Sequence, residues 1–367
     1  LVSKLKKDEY AKFCAETKQV LDSRLEAQNS SLKLYPIEVF PSVNAFTNRN
    51  ICLTRGNLHS QTVKDNKYIV LGLVNGNIQM LDAKIFNVEI EFQYAHQGTP
   101  SFASPQIHQS RNTLIDAVTA LEITPDNRQI ISGSRDRMTK IFDVRKKKEI
   151  KAYKENEGKK ISCAPIQLVS IGDISAICLS EDGTRFYTAS YDRKIVFYDL
   201  REMDKPLGVI LDVHRDEIEC LIATKEGDIL ISGGKDQRIN IIDIERREVE
   251  SSFGIVHDSK FNIYLPFAKF QSLGAVTCLA LSSNGEYLVS GSVDRTVNIY
   301  SMEKRELLGR IELVHEGSIL AMAISCDSRF LISGGGDGSV SFSDIEKRER
   351  IHRFEGIHGE LILRIRE

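Results

Sequence analysis

Several absences narrow what this chain can be. It has no run of 18 or more apolar residues, so no helical membrane span is encoded. C-x-x-C does not occur, and the seven cysteines (Cys14, Cys52, Cys163, Cys178, Cys220, Cys278, Cys326) are odd in number. Neither metal-ligand spacing nor a secreted disulfide framework is therefore supported. The formal net charge of -2 over 367 residues disfavours broad attraction to nucleic acid or to an anionic membrane. There is no P-loop, dinucleotide fingerprint, zinc-protease motif or nucleophile elbow, so no catalytic residue, metal or cofactor is expected. The opening Leu1-Val2-Ser3-Lys4-Leu5-Lys6-Lys7 runs into acidic residues without the apolar core of a signal peptide, and an intracellular place, cytoplasmic or nuclear, is expected. A start at leucine leads us to expect a piece of a longer protein.

What is present is a repeat. A strand ending in Ser-Gly or a close variant is followed by an aspartate turn and an alternating strand. It reads Ile131-Ser132-Gly133-Ser134-Arg135-Asp136 with Thr139-Lys140-Ile141-Phe142-Asp143, and Thr188-Ala189-Ser190-Tyr191-Asp192 with Ile195-Val196-Phe197-Tyr198-Asp199. Three more copies turn at Asp236, Asp294 and Asp337, and a fainter one, Val70-Leu71-Gly72-Leu73-Val74-Asn75, precedes them all. Successive turn aspartates are 56, 44, 58 and 43 residues apart. The short intervals match a four-stranded propeller blade of roughly 40–45 residues, and the long ones the same unit with an insertion. Polar hairpins such as Pro125-Asp126-Asn127, Glu181-Asp182-Gly183, Glu226-Gly227-Asp228 and Ser283-Asn284-Gly285 suit the tight connection ahead of each phrase.

From about residue 50 to the end, the sequence resembles the WD-repeat family. The resemblance implies an all-β fold, a β-propeller of four-stranded antiparallel blades, with seven blades favoured. It also implies an intrablade hydrogen-bonded chain of histidine, serine or threonine, aspartate and tryptophan. Here tryptophan is absent and its place is taken by residues such as Phe142, Tyr198, Ile242 and Ser343. His214 with Asp236, and His315 with Asp337, are each 22 residues apart, so those two blades are expected to keep three of the four members. The other blades, with Asp136, Asp192 and Asp294, are expected to depend more on apolar packing. Cys220 and Cys278 fall at a small, buried first-strand position, where other blades have Ala120, Ala176 and Ala321.

Two domains are read: an N-terminal helical segment over 1–31, with Tyr10, Phe13, Cys14, Thr17, Val20, Leu21 and Leu25 at helical spacing, and a propeller over 32–367. Packing on the propeller and pairing with a partner helix are both open for that helix. His358 to Glu367 reads as the first strand of a seventh blade, completed by strands near Leu34–Phe40 or by residues past the end.

Three insertions, His96 to Leu114, Lys154 to Ile171 and His257 to Leu273, fall between the last strand of one blade and the first of the next. By the resemblance they share a rim with the aspartate turns, and loops on a rigid scaffold are where binding resides. The third carries Phe261, Tyr264, Phe267 and Phe270 with lysines and no acidic residue from 259 to 271. These aromatics either pack back onto the rim or contact a partner. A second candidate is a basic ring beside the turns, formed by Arg135, Arg137, Tyr191, Arg193, Lys235, Arg238 and Arg295, for an acidic, phosphorylated or modified peptide. The leading function is a non-catalytic scaffold for other proteins in a complex, and the peptide reader is the alternative. Nucleic-acid binding ranks behind both, because the charge is near neutral and the clustered aromatics lie in one loop.

Overall fold

The computed structural model describes residues 48–53, 68–73, 76–82, 88–93, 95–96, 117–154, 172–254, 256–257 and 274–355. Within them lie six four-stranded antiparallel sheets, each a simple meander. The first holds β1 (Asn48–Leu53), β2 (Tyr68–Leu73), β3 (Ile78–Asp82) and β4 (Val88–Phe92). The second holds β5 (Val118–Ile123), β6 (Gln129–Ser134), β7 (Met138–Asp143) and β8 (Lys148–Lys154). In the third are β9 (Ile174–Leu179), β10 (Arg185–Ser190), β11 (Ile195–Asp199) and the short β12 (Gly208–Ile210). The fourth comprises β13 (Ile218–Ala223), β14 (Ile229–Gly234), β15 (Ile239–Asp243) and β16 (Glu248–Phe253). The fifth and sixth run β17 (Val276–Leu281), β18 (Tyr287–Ser292), β19 (Val297–Ser301), β20 (Glu306–Ile311), then β21 (Ile319–Ile324), β22 (Phe330–Gly335), β23 (Val340–Asp344) and β24 (Glu349–Phe354).

The five stronger repeat phrases each become the second strand, turn and third strand of a blade, and the faint first copy supplies the strands β2 and β3. The expected helix over 1–31, the strand near Leu34–Phe40 and the start of a seventh blade at His358 lie outside the described residues. First strands pack in series, β1 on β5, β5 on β9, β9 on β13, β13 on β17 and β17 on β21, and each second strand also meets the first strand of the next blade. That contact explains the small residue in the phrase. A Cβ on Gly291 would press on Cys278, Ile319 and Met322, so the next blade's first strand fills the space a side chain would need.

Period-two alternation supplies both faces of a blade. Leu288 and Tyr300 of the fifth blade join Ile231, Ile239 and Val276 in one cluster, while Val289, Val297 and Ile299 join Ile319, Met322 and Leu331 of the sixth in another. The hairpins between first and second strands close as the polar triplets require. Asn127, Gly183, Gly227, Gly285 and Ser328 all have φ between 55 and 75°.

Candidate functional site: the aspartate-turn rim

In a meander of four antiparallel strands, the turn between strands two and three lies at the same end as the exit from strand four. The aspartate turns and the blade-to-blade connections therefore share one rim. Four blades carry a buried histidine there. His96 Nδ1 is 2.8 Å from Asp136 Oδ2 and its Nε2 is 2.7 Å from Ser132 Oγ. His214 repeats this with Asp236 and Ser232, at 2.8 Å each. His257 Nδ1 lies 3.1 Å from Asp294 and 3.0 Å from Thr296, with Nε2 2.9 Å from Ser290. His315 Nδ1 sits 2.7 Å from Ser339 and 3.5 Å from Asp337, with Nε2 2.8 Å from Ser333. A carboxylate only accepts, so at His96 and His214 Nδ1 carries a proton, and in the neutral ring Nε2 accepts from the serine hydroxyl.

The networks of His96 and His257 correct the expectation that blades other than those of His214 and His315 depend more on apolar packing. Their histidines lie 40 and 37 residues ahead of their aspartates, because an insertion intervenes. A spacing counted from the other side finds them. Each histidine is four residues after the apolar end of a fourth strand: Phe92, Ile210, Phe253 and Ile311. In the fifth blade Tyr300 stands, buried, where the family has tryptophan, and its hydroxyl accepts from Asn298 Nδ2 at 3.2 Å. In the third blade Asp192 pairs with Lys194 at 2.7 Å and accepts from Ser190, while Thr188 holds the serine position.

Each carboxylate balances two effects. Burial raises Asp337, but hydrogen bonds from Ser339, Glu316 and Gly317 outweigh it and hold the group well below the usual range. Asp294 and Asp236 are lowered in the same way, against burial, by His257 with Thr296 and by His214 with backbone N–H groups. His315 is itself lowered, first by burial and then by Arg353, against the pull of Asp337.

The residue before each turn aspartate ties the rim to the start of its blade. Arg135, Tyr191, Lys235, Val293 and Gly336 donate their N–H to the carbonyls of Ala117, Asp173, Glu217, Ala275 and Ser318. Where an insertion enters a blade, its far end is thus anchored at the turn. For the first insertion His96 holds one end and Ala117 the other. At the third, Val256 N–H binds Gln237, and a Cβ on Gly274 would run into the His257 carbonyl oxygen, so the two ends meet at a neck that only glycine allows. Phe261, Tyr264, Phe267 and Phe270 lie outside the described residues.

The seven residues read as a basic ring are not equivalent. Arg135, Tyr191 and Lys235 form an inner group with carboxylates among them. Arg135 faces Asp173 at 4.0 Å, while Lys235 bonds Glu217, lies 3.3 Å from Glu219 and sits 5.2 Å from the Tyr191 ring centre. Burial pushes the Tyr191 hydroxyl up to about 12, helped by the charge of Glu219. Arg137, Arg193 and Arg295 follow their aspartates in the left-handed conformation, with φ of 67, 68 and 70°. Arg193 turns outward to Asp212 at 2.9 Å, and the Arg238 N–H donates to Asp236.

No group of three or more histidine, cysteine or acidic residues among the described ones could hold a metal. No helix of the described residues is long and apolar enough to cross a membrane. The family described as WD domain, G-beta repeat matches residues 109–143, 168–199, 205–243, 268–301 and 309–344. A U3 small nucleolar RNA-associated protein 15 homolog of Xenopus laevis is 30% identical over 186 residues, which are 50% of this chain and 30% of that protein. A guanine nucleotide-binding protein subunit beta-like protein of Encephalitozoon cuniculi is 30% identical over 139 residues, 36% of each. An uncharacterized WD repeat-containing protein of Saccharomyces cerevisiae is 24% identical over 185 residues, 50% of this chain and 41% of the other. The chain spans about a third of the length of the first two of these relatives. The matched repeats coincide with blades two to six of the structure, and the chain belongs to the WD-repeat family.

Proposed function

We propose that this chain is a non-catalytic scaffold, holding other proteins of an intracellular complex on its aspartate-turn rim. The observation that carries the reading is the mounting of the insertions. The first and third are each anchored at both ends to a turn that a buried histidine network holds rigid. A long segment on a stiff neck presents side chains at little cost in order, which is what a docking loop needs. The aromatics Phe261, Tyr264, Phe267 and Phe270 are the side chains we assign to contact, since large rings dominate interface energetics. Relatives named for association with a small nucleolar RNA and as a protein subunit support a place in an assembly. Recognition of an acidic peptide at this rim is less favoured, because Asp173, Glu217 and Glu219 already answer Arg135 and Lys235.

The test is co-purification with mass spectrometry, comparing the wild type with Phe261→Asp/Tyr264→Asp/Phe267→Asp, with thermal melting of both. Loss of a defined set of proteins from a variant that melts like the wild type is the expected result. An unchanged set would remove the loop from binding.

A further inference from the structure

The turns between third and fourth strands lie at the end of the propeller opposite the aspartate turns, and the repeat provides an internal comparison there. In the fourth blade the turn reads Asp243-Ile244-Glu245-Arg246-Arg247-Glu248, in the fifth Ser301-Met302-Glu303-Lys304-Arg305-Glu306, and in the sixth Asp344-Ile345-Glu346-Lys347-Arg348-Glu349. The second blade has Asp143-Val144-Arg145-Lys146-Lys147-Lys148. The backbone is the same in all four: the fifth residue is left-handed, with φ of 53° at Lys147, 56° at Arg247, 55° at Arg305 and 58° at Arg348. Three blades thus show that the turn closes with a glutamate on each side of the basic pair. In the second blade both glutamates are replaced by cations, and folding does not require it.

The result is four consecutive exposed cations, Arg145, Lys146, Lys147 and Lys148. Nearby carboxylates do not cancel them. Asp143 reaches only Lys146, at 3.8 Å, and Glu149 is taken by Lys140 at 3.0 Å. On the side of the following blades the site is also bounded. The third blade's turn sets Glu202 and Asp204 beside Arg201 and Lys205, and the fourth to sixth set two glutamates each against a basic pair, so none carries the net charge of the second. A long polyanion laid across this end would meet those carboxylates, whereas a short one fits the second blade alone. No exposed aromatic lies on the turn on which a base could stack.

We propose that the β7–β8 turn is a docking site for a short acidic segment of a partner protein, a run of aspartate or glutamate side chains. The probe is a fluorescein-labelled decaglutamate peptide, read by polarisation against a glycine-serine peptide of equal length. Arg145→Glu/Lys148→Glu gives this turn the pattern of the fourth to sixth blades. It is expected to keep the melting temperature and to weaken binding by about tenfold or more at low salt, with the wild-type affinity falling as salt rises. The converse variant, Glu245→Arg/Glu248→Lys in the fourth blade, is expected to create a second site and raise the stoichiometry. It decides the matter should the first variant unfold. Equal binding by wild type and first variant, no gain in the converse variant, or tighter binding of duplex RNA of matched charge than of decaglutamate would each overturn the proposal.

Discussion

At the scale of single residues, the buried histidines of the rim matter most for stability. His257 joins Ser290, Thr296 and Asp294 in one network, and Arg310 braces the same carboxylate at 3.0 Å. Replacing His257 by alanine leaves a buried hydroxyl and a buried carboxylate short of a partner and opens a void. A loss of about 2–4 kcal/mol is expected, against about 1 kcal/mol for an ordinary hydrogen bond, and denaturant melts of the variant measure it. His315 adds a pH dependence. Its folded pKa lies below the ordinary histidine value, so the unfolded chain binds the extra proton. Stability from this group is full above about pH 6.5 and falls as pH drops toward the folded value. The lowered Asp236, Asp294 and Asp337 give the same sign in a lower window, lost below about pH 4. Melting temperatures at pH 7.5, 6 and 5 should therefore decline, and His315→Gln should flatten that decline. An undiminished slope in the variant would assign it to other groups.

At the scale of elements, the third-to-fourth strand turns tie blades together. Arg247 donates to the Leu207 carbonyl of the preceding blade, and Arg305 reaches Ser251 at 3.0 Å and Glu250 at 3.1 Å. These residues sit where φ favours glycine, so each arginine trades backbone strain for a link. At Arg305 the two effects separate. Arg305→Gly loses the link but relieves the strain and should stay within about 0.5 kcal/mol of wild type. Arg305→Ala loses the link and keeps the strain, and should be less stable than the glycine variant by about 1 kcal/mol. Paired urea melts settle the order. The same elements mark what the sequence makes legible. The Ser-Gly phrase, the aspartate turn and the strand alternation are local, so all six described blades could be read from them. The networks of His96 and His257 could not be read from a fixed 22-residue interval, since chain of variable length separates the partners. Uneven roles in the basic ring were hidden for another reason. Arg135 and Arg137 are two residues apart, yet one extends toward the first strand and the other turns left-handed, and only the backbone at Asp136 distinguishes them.

For the whole molecule, the question is how the sixth blade is finished. Ile332, Val340 and Phe342 are by register the counterparts of Val289, Val297 and Ile299, the residues through which the fifth blade packs on the sixth. All three are buried, Val340 to 1% exposure. His358 follows Phe354 by four residues, the interval that places a network histidine at every other blade that has one, and Ile362 and Ile365 then fall where Ile319 and Met322 stand in the sixth blade. Those residues lie outside the described ones, so the pairing is a prediction with a direct test. If residues 356–367 cover the sixth blade, a chain ending at Glu355 exposes three large apolar side chains, each worth roughly 1.5–3 kcal/mol when buried. It should melt well below the parent chain and self-associate, as an uncovered sheet face does. Ile362→Asp/Ile365→Asp in the full chain should reproduce the effect without shortening it. Unchanged melting and a monomeric sedimentation profile for both would mean that another part of the chain meets Ile332, Val340 and Phe342, and residues before Asn48 become the candidates.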